Sequence, residues 1–253
     1  MSRTQTAIRG LILVAIVASA TACSIIGPPA APTGLQRQIS QGAKADAEGR
    51  SQAAVPAKAA PARAVAGAKA ITTNRAKATA EISGKDITAV GDSVLLASSL
   101  SLQQVFPGIY VNAAVSRFMY AGLSVLQQLA ASGQLRPVVI VALGTNGGVT
   151  TQQVHQLMAI VGSKRKVVLV NTFVPLPYEQ DTNSVLAAAA RTYPNVVLAN
   201  WNKTISDRTS LLWPDDIHPH YPAGTKVYAA MIKTAVAQAV QAGSTKKWSS
   251  GSP

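Results

Sequence analysis

Between Asp86 and Ala242, short unbroken apolar runs alternate with stretches of helical character. Ile87–Val90 ends at a glycine, and Ile109–Ala113 is the next run. Val138–Leu143 is continuous, rich in β-branched residues and the strongest of the set; Val167–Val170 and the shorter Val196–Leu198 follow. Runs of this kind are the pattern of strands buried on both faces, as in parallel sheets. The segments 94–105, 120–131, 150–161 and 182–192 read as helices, with Thr150 or Thr151 capping the third. A final helix is expected over 223–242, its apolar positions being Val227, Ala230, Met231, Ala235 and Val236. Five strands alternating with helices predict an α/β fold, a three-layer α/β/α sandwich on a five-stranded parallel sheet. Ligands of such sheets bind beyond the carboxyl ends of the strands, so chemistry is expected just after a strand.

The chain ahead of this region has a different character. Arg3 and Arg9 precede an uncharged apolar run from Gly10 to Ala22. That is the charge-then-apolar order of an export signal, and at 1.5 Å per residue it spans roughly 20 Å, short of the ~30 Å membrane core. The run ends in Ala20-Thr21-Ala22-Cys23, which resembles the lipobox of bacterial lipoproteins. The resemblance implies that Cys23 carries lipid and begins the mature protein. A plain cleaved signal, or an uncleaved anchor extending to Ile26, are the alternatives, and all three place the rest outside the cytoplasm. Residues 24–82 are rich in Ala, Pro, Gly, Lys and Gln with no sustained apolar period, and are expected to be a disordered linker. The expected organisation is a membrane anchor over 1–23, that linker, a catalytic domain over 83–242 and a disordered tail over 243–253.

Composition refines this picture. Hydrophobic residues make up 48% of the chain but aromatic ones only 5%, so the core must be built mainly from Val, Leu, Ile and Ala. A formal charge of +13 invites a nucleic-acid reading, but residues 86–240 hold ten basic and seven acidic residues, only +3 of it. The excess lies outside the predicted domain, where it reads first as keeping an Ala-rich linker soluble; a basic arm there is also drawn to any polyanion, anionic lipid or wall polymer included. No nucleic-acid partner is expected. The single cysteine rules out a disulfide within the chain and a Cys-based zinc site. No metal or organic cofactor is indicated.

Three segments pass the strand-exit test. Gly91-Asp92-Ser93-Val94 follows the first strand and places Ser93 at the start of a helix, where free backbone N–H groups can bind a developing oxyanion. Taken alone it reads better as a cap made by Asp92 or Ser93. Leu143-Gly144-Thr145-Asn146-Gly147-Gly148 follows the strongest strand, and the Asn146 amide is a neutral donor suited to an oxyanion. Asp215-Asp216-Ile217-His218 precedes the last helix. There Asp215, or less naturally Asp216, can orient the His218 ring, leaving its far nitrogen to take a proton from a serine. His220 reads as surface or cleft rim, His155 as surface, Lys164-Arg165-Lys166 as a solvated helix end, and Trp201 and Trp213 as either core or a sugar-stacking wall.

Together these blocks resemble the SGNH (GDSL-type) hydrolase family, whose signature is a Gly-Asp-Ser block, a Gly-x-Asn block and a terminal Asp-x-x-His block. The resemblance covers residues 86–240, about 60% of the chain. It implies a flavodoxin-like sandwich with Ser93 as nucleophile, His218 and Asp215 as its partners, and Asn146 as oxyanion donor. Within the family the Gly-Asp-Ser-Val start, the Val115-Ser116-Arg117 segment and the Leu-Gly-Thr-Asn-Gly loop are most similar to extracytoplasmic domains of peptidoglycan O-acetyltransferases. Ser116 stands where a generic member has its oxyanion glycine, and its backbone N–H is the implied second donor. The expected function is a serine esterase removing small O-acyl groups, acetyl foremost, from cell-envelope glycans. One alternative is an O-acetyltransferase that moves acetyl onto a peptidoglycan or other envelope sugar. Another is a catalytically idle wall-binding lipoprotein. The expected partners are an acylated envelope carbohydrate, the membrane through the N-terminus and, for a transferase, a separate membrane protein supplying acyl groups. The chain itself is expected to be monomeric.

Overall fold

The computed structural model describes residues 33–53 and 82–245. The expected export signal, with Cys23, lies outside them. Five strands, β1 (Ile87–Gly91), β2 (Tyr110–Ala113), β3 (Val138–Ala142), β4 (Lys166–Val170) and β5 (Val196–Ala199), form one sheet in the order β2-β1-β3-β4-β5. Every pairing is parallel. The fold class is thus α/β, as the apolar runs predict.

Alternate residues of each strand feed opposite cores. Ile87, Ala89, Val138, Ile140, Val168 and Val170 face one cluster, while Val90, Val139, Val141, Val167 and Leu169 face the other. That two-residue period explains why these strands read as solid apolar runs. Helices α3 (Ser99–Val105), α7 (Trp201–Ile205) and α8 (Ala223–Thr245) cover the first face, joined by α2 (Ser93–Ala97). Helices α4 (Met119–Ala131), α5 (Thr151–Val161) and α6 (Glu179–Thr192) cover the second. Thr150 caps α5 in a reciprocal box with Gln153.

Three expectations need correction. The buried stripe of α8 is Tyr228, Ala229, Ile232, Ala235, Val236 and Ala239; Val227 and Met231 flank it, and Ala230 is exposed. Tyr228 decides the phase by packing edge-on against buried Trp201, with ring centroids 4.9 Å apart. The helix also runs on to Thr245, past the expected boundary at 242.

The larger correction falls in the expected linker. Residues Gly34–Ala53 form a helix, α1, in the same compact unit as the sheet. Thr33 and Gln36 start it with a capping box: the Thr33 hydroxyl accepts from the Gln36 N–H, and the Gln36 side chain accepts from the Thr33 N–H. It docks through Gly34, Gln38, Gly42, Ala45 and Asp46, a face of small and polar residues. A Cβ on Gly42 would lie 2.1 Å from the Leu96 carbonyl oxygen, so the backbones of α1 and α2 nearly touch.

Helix α1 also closes an edge of the sheet. The Arg50 guanidinium donates to the Val111 carbonyl at 3.1 Å, and the Asp46 carboxylate accepts from the Ala113 N–H at 3.3 Å. These bonds cover groups of edge strand β2 that would otherwise invite another chain. Helix propensity favours Ala over Gly by about 1 kcal/mol, but Gly42→Ala is expected to destabilise the full chain by about 1–3 kcal/mol through overpacking. Ser40→Ala, on the exposed side of α1, should show no loss. Urea unfolding of both variants checks this; a stabilised Gly42→Ala protein would mean that α1 does not dock as closely as its glycine face indicates.

Candidate active site

Order β2-β1-β3-β4-β5 reverses direction between β1 and β3, and that switch point opens a crevice at the carboxyl ends of the strands. Ser93 follows β1 and Asn146 follows β3, so the first two sequence blocks border the same crevice. The third block comes over it from the loop before α8.

The Ser93 Oγ and the His218 Nε2 are 2.8 Å apart. On the far side of the ring, His218 Nδ1 lies 2.7 Å from the Asp215 Oδ2. The other Asp215 oxygen, Oδ1, accepts from the backbone N–H of Ile217 at 3.0 Å and of His218 at 3.1 Å. One carboxylate thereby folds the 215–218 turn and orients the ring at its end. Burial works to raise the Asp215 pKa, but the bonds from His218 and Ile217 outweigh it and hold the carboxyl below its usual value. Asp216 instead takes a left-handed backbone, with φ +56°, and donates its N–H to the Trp213 carbonyl. Asp215, not Asp216, is the carboxylate on His218.

Asn146 is half-buried, and its Nδ2 donates to the Arg117 carbonyl at 3.4 Å. Arg117 is itself tied back to the sheet, donating to the carbonyls of Gly91 and Asn112 and to the Asn112 side chain. Ser116 sits between these anchors and exposed Val115 in the left-handed region, at φ +56°. A non-glycine residue held there is strained, and the Arg117 bonds supply the restraint.

Asp92 has a part that the motif alone left open. It is buried; its Oδ1 accepts from the Val94 N–H at 3.0 Å and its Oδ2 from the Thr145 N–H at 3.3 Å. Asp92 therefore makes the helix cap, while Ser93 faces His218. The same carboxylate locks the loop of Asn146 onto the turn of Ser93. Tyr178 holds that loop from the other side, its hydroxyl donating to the Thr145 carbonyl at 2.7 Å.

Trp201 belongs to the core, not to a sugar wall. Trp201 is buried against Tyr228, and Trp213 is half-buried with its indole N–H bonded to Gln38. Exposed Val115, Phe118 and Tyr120 instead follow β2, with Leu176 after β4 and Tyr221 beside the His218 turn. The Phe118 ring lies against Gly147, next to Asn146. His220 is exposed beside Trp213, His155 is exposed near Tyr193, and Arg165 caps α5 through the Val161 carbonyl.

No family model matches the chain. Among curated proteins, it is 34% identical over 152 residues to "Putative peptidoglycan O-acetyltransferase YrhL" of Bacillus subtilis (strain 168), covering 60% of this chain and 24% of that protein. It is 31% identical over 159 residues to peptidoglycan O-acetyltransferase OatA of Listeria monocytogenes, covering 63% of this chain and 25% of that one. The C-terminal catalytic domain of Streptococcus pneumoniae OatA, solved with a methylsulfonyl adduct, superposes with a TM-score of 0.56 at 22% identity, over 61% of this chain and 94% of that domain. Over this region the chain is similar to proteins named as peptidoglycan O-acetyltransferases, and it shares the fold of the OatA catalytic domain. It spans about a quarter of the length of the curated relatives it matches.

The part of Asp92 that the motif left open, its bond to the Asn146 loop, can be tested through its proton. Burial raises its pKa from 3.8 to about 6, against the bonds from Val94 and Thr145. The folded state then holds a proton that the unfolded state has released, so this group's contribution to stability falls as pH rises from about 4 to about 6. The loss is on the order of 2–3 kcal/mol. Asp92→Asn should flatten that part of the stability curve, and it should also loosen the Asn146 loop by setting an amide donor against the Thr145 N–H. Urea unfolding at several pH values decides it: an unchanged slope in the variant would place the proton uptake on another group.

Proposed function

We propose that this chain catalyses serine-dependent acyl transfer at the cell envelope, moving acetyl onto a peptidoglycan hydroxyl through an acetyl-enzyme on Ser93. The observation that carries the reading is the continuous contact Ser93 Oγ–His218 Nε2, His218 Nδ1–Asp215 Oδ2. As Ser93 Oγ attacks the acyl carbonyl, His218 Nε2 takes its proton and Asp215 stabilises the resulting imidazolium. The Asn146 amide and the Ser116 backbone N–H are assigned to the oxyanion. Collapse of the tetrahedral intermediate returns the proton from Nε2 to the departing group and leaves acetyl on Ser93. A sugar hydroxyl, deprotonated by the same nitrogen, then attacks the acetyl-enzyme and restores the serine. The exposed side chains Val115, Phe118 and Tyr221 offer apolar surface against which a sugar ring can lie.

The peptidoglycan acceptor is supported by the relatives, whose names carry that activity. Hydrolysis of envelope O-acetyl groups is the second reading. One observation favours it: the His218 and Asp215 side chains retain 14% and 33% of their accessible surface, so water can reach the proton-transfer pair. Among the described residues no helix is long and apolar enough to cross a membrane. Attachment is assigned to lipid on Cys23, and the acetyl donor to a separate membrane protein.

Ser93→Ala and His218→Ala should each lower turnover of an acetyl aryl ester by about a thousandfold or more, and Asp215→Asn by about a hundredfold or more. With chitooligosaccharide present, mass spectrometry should find acetyl added to sugar by the unaltered chain and not by Ser93→Ala. Ser93-dependent release to water alone would replace transfer with hydrolysis. A folded chain without Ser93-dependent release would overturn both readings.

A further inference from the structure

One side chain of α1 bonds to both legs of the His218 loop. Gln38, on α1, is 5% exposed, yet its amide makes four hydrogen bonds. Its Nε2 donates to the Ala97 carbonyl at 3.0 Å and the Pro219 carbonyl at 2.9 Å. Its Oε1 accepts from the Trp213 indole N–H at 3.0 Å and the Tyr221 backbone N–H at 3.1 Å. Two donors and two lone pairs are the whole capacity of a primary amide, so every one is engaged.

The four partners lie on the two segments that must meet for Ser93 to touch His218. Ala97 ends the short helix that Ser93 begins. Trp213 lies on one leg of the His218 loop, and Pro219 and Tyr221 lie on the other. The legs are cross-braced: Leu212 bridges Pro219, the Trp213 N–H donates to the His218 carbonyl, and the His220 N–H donates to the Leu211 carbonyl. Asp215 and His218 occupy the tip of this brace. Gly34, one turn before Gln38, lets the Trp213 ring lie against the α1 backbone, since a Cβ there would fall 2.3 Å from the ring.

We propose that Gln38 is a positioning residue for the Ser93–His218 pair, setting through its four bonds the separation between the Ser93 helix and the His218 loop. As a statement about catalysis, this rests on the function proposed above. Helix α1 thereby becomes part of the catalytic unit, although it precedes the region that carries the sequence motifs. Substitution by an apolar residue of similar length breaks all four bonds and leaves two carbonyls and two N–H groups without their partner. The loop then loses its bonds to α1, while the sheet keeps its own.

The test uses the full chain and two variants. Gln38→Met removes the amide; Trp213→Phe keeps an aromatic ring and removes one of the four bonds, for use should the first variant fail to fold. Turnover of the acetyl aryl ester is expected to fall about tenfold or more in Gln38→Met with KM changed less than about threefold, since bond-making groups move while ester binding does not. Modification of Ser93 by a sulfonyl fluoride should slow in parallel. Amide hydrogen exchange should speed up in residues 211–222 and stay unchanged in β3 and β4. Trp213→Phe should shift each readout in the same direction by less, and Lys44→Ala, on the exposed side of α1, should shift none. A lower melting temperature with turnover and modification rate within about twofold of the unaltered chain would show Gln38 to be structural only; unchanged exchange over 211–222 would show that Gln38 does not hold the loop, and would overturn the proposal. An unaltered chain lacking Ser93-dependent turnover would defeat the functional reading instead, and the exchange arm would still decide whether Gln38 holds the loop.

Discussion

The bond between Ser93 Oγ and His218 Nε2 joins residues 125 positions apart. No local element can bring them together, so the fold has to do it. The parallel sheet contributes the first half by setting the exits of β1 and β3 side by side, which fixes Ser93 against the Asn146 loop. The second half is harder, because the His218 turn belongs to no strand and no helix. Asp215 organises it from within, through two backbone N–H groups and the ring. Its place over Ser93 is then a matter of what grips the legs of the loop.

Much of this was legible in the sequence, for a common reason. Strands buried on both faces need apolar side chains at every position, so β1, β3 and β4 stand out as solid runs. Parallel sheets bind ligands at strand ends, so the positions of Ser93 and Asn146 carried meaning before any geometry was known. Asp215 and His218 were legible because three residues is the reach of one turn. The parts that did not show are those whose contacts are neither apolar nor periodic. Helix α1 docks through glycines and buried polar groups, and its residues carry the same composition as a flexible linker. The Thr33–Gln36 box was the available signal, and it marks a helix start without saying that the helix docks. Gln38 could not be read at all: an amide that saturates its hydrogen bonds looks in sequence like any surface glutamine. Asp92 was read as a possible cap, which it is; its second bond, to Thr145, depends on the approach of a loop 53 residues away.

The acidic groups are distributed with consequence. Asp46 and Asp92 are buried, and burial raises each to a pKa of about 6. Both carboxylates face backbone N–H groups that define the site's frame, Ala113 after Val111 on the sheet edge and Thr145 in the Asn146 loop. Asp215, by contrast, is partly exposed and held below its usual value. Its stabilising contribution is present above the unfolded pKa and is lost as pH falls through the lower folded one, opposite in sign to that of the two buried acids. A carboxylate held in its charged form is better placed where water and N–H donors favour the charge. The buried pair fixes geometry at the cost of desolvation.

The same helix that closes the open edge of β2 also grips the His218 loop, and these two duties constrain one another. Arg50 and Asp46 set the position of α1 along the strand, and that position determines where Gln38, two and three turns earlier, meets Trp213, Pro219 and Tyr221. The chain separations between Gln38 and these partners run from 175 to 183 residues. Contacts of that span carry a large loop-closure cost. The site joins two distant parts of the chain. Its geometry depends on a helix with little apolar surface to hold it, whose attachment rests on close backbone approach and a few directed hydrogen bonds. Such an attachment is specific in register because each bond has one partner, and a slip of α1 by one turn would strand Gln38, Asp46 and Arg50 together.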